Sequence, residues 1–232
     1  MCYNPTISIA TAITEWILAV ILPFKYNRAR VRFFMSALLV FLGLYQFTEF
    51  MLCQTDRADL WMRLGFIAYT MLPAIGLHSS VYYFKKKVNV FWIYILPAIY
   101  IIIALTTSQF VLEAKCYAIF VYASNAIFSY TDPIKLFGFI VYVAYYFGFI
   151  LWCSLIGVKA YLKEKDQQKQ KIALILPLGI FLMAFPTFVL IVVFPTLNIR
   201  FPSVLCHFGL LLALTAFIGA RLEQEYSNSK KK

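Results

Sequence analysis

Apolar runs of about twenty residues alternate with short polar breaks along the whole chain. Seven runs stand out, at residues 7–24, 33–53, 61–84, 89–109, 134–158, 172–195 and 202–220. A helix that crosses a bilayer core needs about 20 mostly apolar residues. Backbone groups in lipid must be bonded within their own segment, so each run is expected to be a helix. The pattern predicts an all-α, polytopic membrane protein. Residues 1–222 form a single seven-helix bundle in this reading, and residues 223–232 form a short basic tail. No internal repeat or low-complexity segment is visible. The first run lacks a basic flank and a small-residue cleavage site, so it reads as a retained helix rather than a signal peptide.

One connection, near 110–133, is longer than the rest. Cys116 to Tyr122 and Ile127 to Tyr130 are aromatic, β-prone runs around the small polar stretch Ala123-Ser124-Asn125-Ala126. That arrangement suggests a β-hairpin lid. A short interfacial helix is the alternative, because the alternation is imperfect and alanine is frequent. Pro73, Pro97, Pro177 and Pro186 fall inside spans, where neighbouring helices can satisfy the freed carbonyls. They predict kinks.

Composition agrees with the pattern. The chain is 62% apolar and 13% charged, whereas soluble domains are about half apolar and about a quarter charged. Its net charge of +11 would suggest nucleic acid in a soluble protein. Here the charge sorts by side, and no nucleic-acid partner is expected. Sixteen of the 21 basic residues fall on one side: Lys25 to Arg32, Lys85 to Lys87, Lys159 to Lys171, and Arg221 to Lys232. Arg57, Arg63, Lys115, Lys135 and Arg200 fall on the other. Positive charge favours the cytoplasm. The N-terminus is therefore expected outside, the C-terminus inside, and the protein in the plasma or inner membrane.

Ionisable groups inside spans are costly and mark functional candidates. Glu15 lies mid-way along the first span and Glu49 in the outer part of the second. His78 lies in the inner half of the third, and His207 in the outer part of the seventh. Gln46, Glu49 and Cys53 are spaced i, i+3 and i+7, so they share a helix face, and Gln46 is placed to donate to Glu49. The set Gln46, Glu49, Glu15, His78 and His207 is the candidate ligand site. For each acid a hydrogen-bonded structural role is the competing reading. His78, with Ser79 and Ser80, either lines a cavity or bonds to neighbouring backbone, and the second is favoured.

Cys2, Cys53, Cys116 and Cys206 fall on or near the outer side, which permits disulfides. Four cysteines allow three pairings. The favoured type ties the hairpin to a helix end through Cys116. A metal site of cysteines with Glu49 and His207 is the sharper alternative, but no tight CxxC or HxxxH spacing supports it. No metal or cofactor is therefore expected. Cys153, deep in the fifth span, stands apart.

No GxSxG, HExxH, P-loop or GxGxxG context is present. The seventh span carries no lysine for a retinal Schiff base. An intramembrane enzyme using His78 or a thiol is thus the third-ranked function, and no catalytic residue is assigned. Residues after Arg221 are too few for a kinase or cyclase domain, so any signal would pass to a separate cytoplasmic partner.

The start Met1-Cys2-Tyr3-Asn4, with Ser8, and the pair Gln46 and Glu49 resemble a family of uncharacterised prokaryotic seven-helix membrane proteins. These begin Met-Cys-aromatic-Ser and carry Gln-x-x-Glu in helix 2. Asn4 and Phe50 depart from that pattern. The resemblance implies a topology and a site at Gln46 and Glu49. With Met1 removed, Cys2 would set a thiol beside an amine, able to bind metal, react or form a disulfide. A second pattern runs from Arg63-Leu64-Gly65 through Pro73, Tyr82-Tyr83 and Leu96-Pro97-Ala98 to Thr106. It resembles the seven-helix sensor region of bacterial histidine kinases, which implies a ligand-sensing bundle.

The leading expectation is a receptor-like bundle or accessory subunit that binds a small ligand or ion from outside. A proton-coupled permease using Glu15 and Glu49 is the second.

Overall fold

The structure, a computed structural model, describes residues 5–26, 32–116, 121–128, 132–196 and 205–229. Among them are seven helices: α1 (Pro5–Lys25), α2 (Arg32–Gln54), α3 (Ala58–Tyr83), α4 (Val90–Thr106), α5 (Pro133–Lys163), α6 (Gln167–Thr196) and α7 (Leu205–Ser229). An antiparallel pair of strands, β1 (Val111–Cys116) and β2 (Val121–Asn125), lies between α4 and α5. Each apolar run in the sequence lies largely within one helix. Four of the helices, α1, α2, α3 and α5, are long and apolar enough to cross a membrane. α4 stops at Thr106, three residues before the apolar run ends, and at 17 residues is about 25 Å long.

Local chemistry sets several ends. The Asp132 carboxylate accepts from the Ile134 and Lys135 amides at the start of α5, with Pro133 in the first turn. Asn89 accepts from Phe91 at the start of α4, and Asp166 from Gln168 at the start of α6. These side chains satisfy amides that the first turn leaves open. α3 ends in a Schellman turn: the Lys86 amide donates to the Val81 carbonyl and the Lys85 amide to that of Tyr82. Lys85 occupies the left-handed position, at φ 49°, where glycine is usual. α7 continues to Ser229, so residues 223–229, expected as a tail, are an extension of the last helix.

The helices pack in sequence order around a ring, α1 on α2, α2 on α3, α3 on α5, α5 on α6, α6 on α7 and α7 back on α1. α4 lies against α3 and is joined to α5 by the Tyr100 hydroxyl, which donates to the Gly138 carbonyl. The bundle has a hairpin end and an opposite end. Toward the hairpin, Phe66, Tyr100, Phe110, Tyr142, Tyr145 and Tyr146 form an aromatic core under the strands. A second core of Leu22, Leu39, Leu77, Ile93, Leu212 and neighbours fills the rest.

The hairpin is present, but in another register than the sequence suggests. Ala123, Ser124 and Asn125 lie in β2, opposite Ala114, Glu113 and Val111, where a turn was expected. β1 reads Val-Leu-Glu-Ala-Lys-Cys, with a bulge between Val111 and Glu113. The expected first strand begins only at Cys116, the last residue of β1. The run 127–130 lies beyond β2 and partly outside the described residues.

Candidate functional site

α1 and α2 are antiparallel neighbours. On α1, Ser8, Thr11 and Glu15 share one face at i, i+3 and i+7, all buried. On α2 the facing residues are Gln46 and Glu49. Glu15 and Gln46 are 0% exposed and Glu49 6%. The Gln46 side-chain amide, Nε2, donates to Glu15 Oε1 at 2.9 Å. On its other side Gln46 Oε1 meets the Thr11 hydroxyl. Thr11 Oγ1 also lies 2.9 Å from the carbonyl oxygens of Ile7 and Ser8. Glu15 Oε2 has no hydrogen-bond partner.

α7 closes this cluster through Gly209. A Cβ at that position would stand 2.6 Å from Gln46 Nε2 and 2.9 Å from Glu15 Oε1. Any larger residue would push α7 away from the polar pair. A similar approach at Gly43, where a Cβ would meet the Trp16 ring and the Ala12 carbonyl, draws α1 and α2 together just below. Small residues allow this kind of backbone proximity between helices. Gly209 was not singled out from the sequence, and Thr11 was legible only as a neighbour of Glu15. A hydroxyl one turn before a buried acid was the available signal for Thr11.

The site differs from expectation in one contact. The sequence spacing aimed Gln46 at Glu49, whereas its amide reaches across to Glu15. Helical side chains lean toward the N-terminus of their own helix. Gln46 therefore leans away from Glu49, toward the level where α1 presents Thr11 and Glu15. Antiparallel register then sets Ser8 level with Glu49, one turn nearer the hairpin.

His78 belongs elsewhere. Its Nδ1 is 3.0 Å from the Tyr94 hydroxyl, and its ring meets Phe34 edge-on at 4.7 Å. Phe34 precedes Gln46 by twelve residues on α2, about 18 Å along the helix axis. His78 is thus bonded to a side chain, rather than to backbone, at the opposite end. His207 lies in α7, but its side chain is outside the described residues, as are Cys2 and the Cys206 side chain.

Cys53 and Cys116 form a disulfide, with Cα atoms 5.9 Å apart. It ties the end of β1 to the end of α2, the type of pairing expected for Cys116. Cys53 follows Glu49 by four residues, so the hairpin is fastened one helical turn beyond that acid. The base of the hairpin is held separately. Asp59 accepts from the Val111 amide and pairs with Arg63 at 2.5 Å. Arg63 also donates to the Thr107 and Ala104 carbonyls at the end of α4, and its guanidinium stands 5.2 Å from the Phe110 ring. One arginine thereby joins α3, α4 and the hairpin, a role its i,i+4 spacing from Asp59 only hinted at.

Cys153 is a buried free thiol, 2.9 Å from Ser80 Oγ. Among the described residues, no three His, Cys, Asp or Glu side chains converge as a metal site would require. No protein-family model matches the chain, and no curated protein matches it.

Proposed function

We propose that this chain is a seven-span membrane protein, N-terminus outside and C-terminus cytoplasmic, whose α1–α2–α7 cluster binds a small ligand or ion reached from the hairpin end. In this reading it acts as a receptor-like bundle or accessory subunit and passes its state to another chain in the cytoplasm.

The distribution of polarity supports the membrane location. Ile13, Ile17, Val20, Ile99, Ile102, Leu151 and Leu155 are exposed, while Glu15, Gln46 and Glu49 are buried. Apolar faces outward and carboxyls inward suit lipid rather than water. Lys85–Lys87 follow α3, and Lys159–Lys171 span the end of α5 and the start of α6; both lie at the end opposite the hairpin, as a cytoplasmic face would have them.

The observation that carries the site is the unpartnered Glu15 Oε2 beside a Gln46 bonded through both its nitrogen and its oxygen. A buried carboxyl oxygen left without a partner costs stability, and a water, an ion or a ligand would satisfy it. Ser8, Gln46 and Glu49, which carry the family resemblance, belong to this same end of the α1–α2 pair.

The test is thermal stabilisation of the purified chain in lipid nanodiscs across ligands, with Glu15→Gln and Glu49→Gln beside the wild type. Responses lost in the variants while folding persists support the site. Responses equal in all three remove it.

A proton-coupled permease is the second reading, favoured by two buried acids, Glu15 and Glu49, about two turns apart on adjacent helices. Liposome flux that depends on pH and on both acids would select it over a receptor.

A further inference from the structure

Around Thr11 the oxygens outnumber the hydrogens. One hydroxyl proton faces three acceptors, the Ile7 carbonyl, the Ser8 carbonyl and Gln46 Oε1. It can serve one of them well. Four residues on, Glu15 presents a carboxyl on the same helix face, and the lean of helical side chains brings it back toward Thr11. One of its oxygens takes the Gln46 amide; the other, Oε2, takes nothing. Among the described residues no basic side chain is bonded to Glu15.

A proton on Oε2 would not complete this arrangement. The resulting O–H would be a donor in need of an acceptor, and Oε2 has no partner of either kind. Ionised, the carboxylate would be a buried negative charge without a counter-charge. A cation among these oxygens removes both difficulties, because it accepts electron pairs from several oxygens and supplies the missing charge.

We propose that the α1–α2–α7 cluster is a site for one monovalent alkali cation of the sodium class, with Glu15 supplying the charge and Thr11, Gln46 and the Ser8 carbonyl supplying neutral oxygens. This rests on the reading of the cluster as a binding site and names its ligand.

The donor set decides the class. Oxygen donors without thiolate or imidazole suit hard cations rather than zinc, copper or iron. Divalent calcium and magnesium draw on several carboxylates and waters, whereas a single carboxylate, Glu15, touches the Gln46 amide. Glu49 lies one turn nearer the hairpin, on the route from that end. Gly209 brings the α7 backbone over the polar pair, so occupancy of the site and the seating of α7 are linked. α7 also meets α1 at its far end, where Phe217 stacks edge-on against Tyr26 at 5.1 Å. The helix thereby connects the cation site to the opposite face of the bundle.

The experiment is thermal unfolding of the purified full chain in nanodiscs, at constant ionic strength and fixed pH, with sodium chloride replacing choline chloride. Sodium is expected to raise Tm saturably, by about 5 °C at a hundredfold excess over its Kd. Glu15→Gln should abolish the rise, and Thr11→Val should raise the sodium concentration needed for half effect by about tenfold. Should Glu15→Gln fail to fold, Thr11→Val alone carries the test, since it keeps the shape and removes the hydroxyl. A sodium effect that survives both variants overturns the proposal, because the ion would be bound elsewhere. No difference between sodium and choline, with a pH-dependent Tm that Glu15→Gln removes, overturns the cation while leaving the site itself in place. Indifference to cations, to pH and to Glu15→Gln defeats the site as well.

Discussion

The amide of Gln46 donates to Glu15 across 2.9 Å inside the bundle, joining the second helix to the first through two side chains that are 0% exposed. Glu15 depends on this bond for its only hydrogen-bonded oxygen. Replacing Gln46 by Leu should cost about 1–3 kcal/mol, because it strands a buried acceptor. Glu15→Gln should cost less, since an amide can still meet Gln46. A double-mutant cycle by reversible unfolding in mixed micelles should return a coupling of at least about 0.5 kcal/mol. Additive effects would mean the two side chains do not communicate.

Gly209 sets how closely α7 approaches. Gly209→Ala should destabilise by about 1–3 kcal/mol, the usual range for overpacking, because the new Cβ would enter the space of Gln46 Nε2 and Glu15 Oε1. Gly148→Ala is the control. Nothing lies within 4 Å of a Cβ there, and alanine favours a helix by about 1 kcal/mol. Thermal melts of the two variants should move in opposite directions.

The Cys53–Cys116 bond spans a sequence separation of 63 residues. Chain-entropy reasoning assigns such a closure about 4 kcal/mol. Reduction, or Cys116→Ser, should lower stability by an amount of that order. Hydrogen exchange should rise at residues 113–116 and 121–124. It should rise much less at Phe110 and Val111, which the aromatic core and Asp59 hold independently.

Lys85 adopts φ 49° at the end of α3. A residue with a Cβ in that region costs roughly 1–2 kcal/mol relative to glycine. Lys85→Gly should therefore stabilise the chain, by about 1 kcal/mol in urea unfolding, although it removes a positive charge. A loss of stability would show that the Lys85 side chain contributes more than its backbone costs.

Much of the architecture was readable because it rests on run length. Twenty apolar residues dictate a helix whatever surrounds them, so all seven helices were legible. Their ends were less so. α4 stops early at Thr106, and α7 extends through Glu223, which is buried where an exposed tail was expected. A hairpin was one of two readings of the 110–133 connection, but its strands were expected at 116–122 and 127–130, whereas β1 carries Glu113 and Lys115 in place of aromatic residues. The Cys53–Cys116 pairing was one type among three arithmetic possibilities, and only spatial proximity selects it. Within the site, Glu15, Gln46 and Glu49 were visible as polar residues in apolar runs. Their partnership was not, because spacing along α2 says nothing about how α1 is rotated. Gly209 was invisible for the same reason: a glycine matters there only through what faces it. His78 was grouped with the acids by residue type, yet its ring lies against Phe34, about 18 Å along α2 from Gln46.

The central claim is that Glu15 and Glu49 are buried carboxyls at membrane depth, in a site that a small cation reaches. Carbodiimide modification of native membranes, read by peptide mass spectrometry, tests it most directly. A hydrophobic carbodiimide should modify both acids, a water-soluble one should modify Glu15 far more slowly, and sodium in place of choline should slow the reaction at Glu15. Absence of an adduct at Glu15 with the hydrophobic reagent, or equal modification by both reagents, would contradict the account.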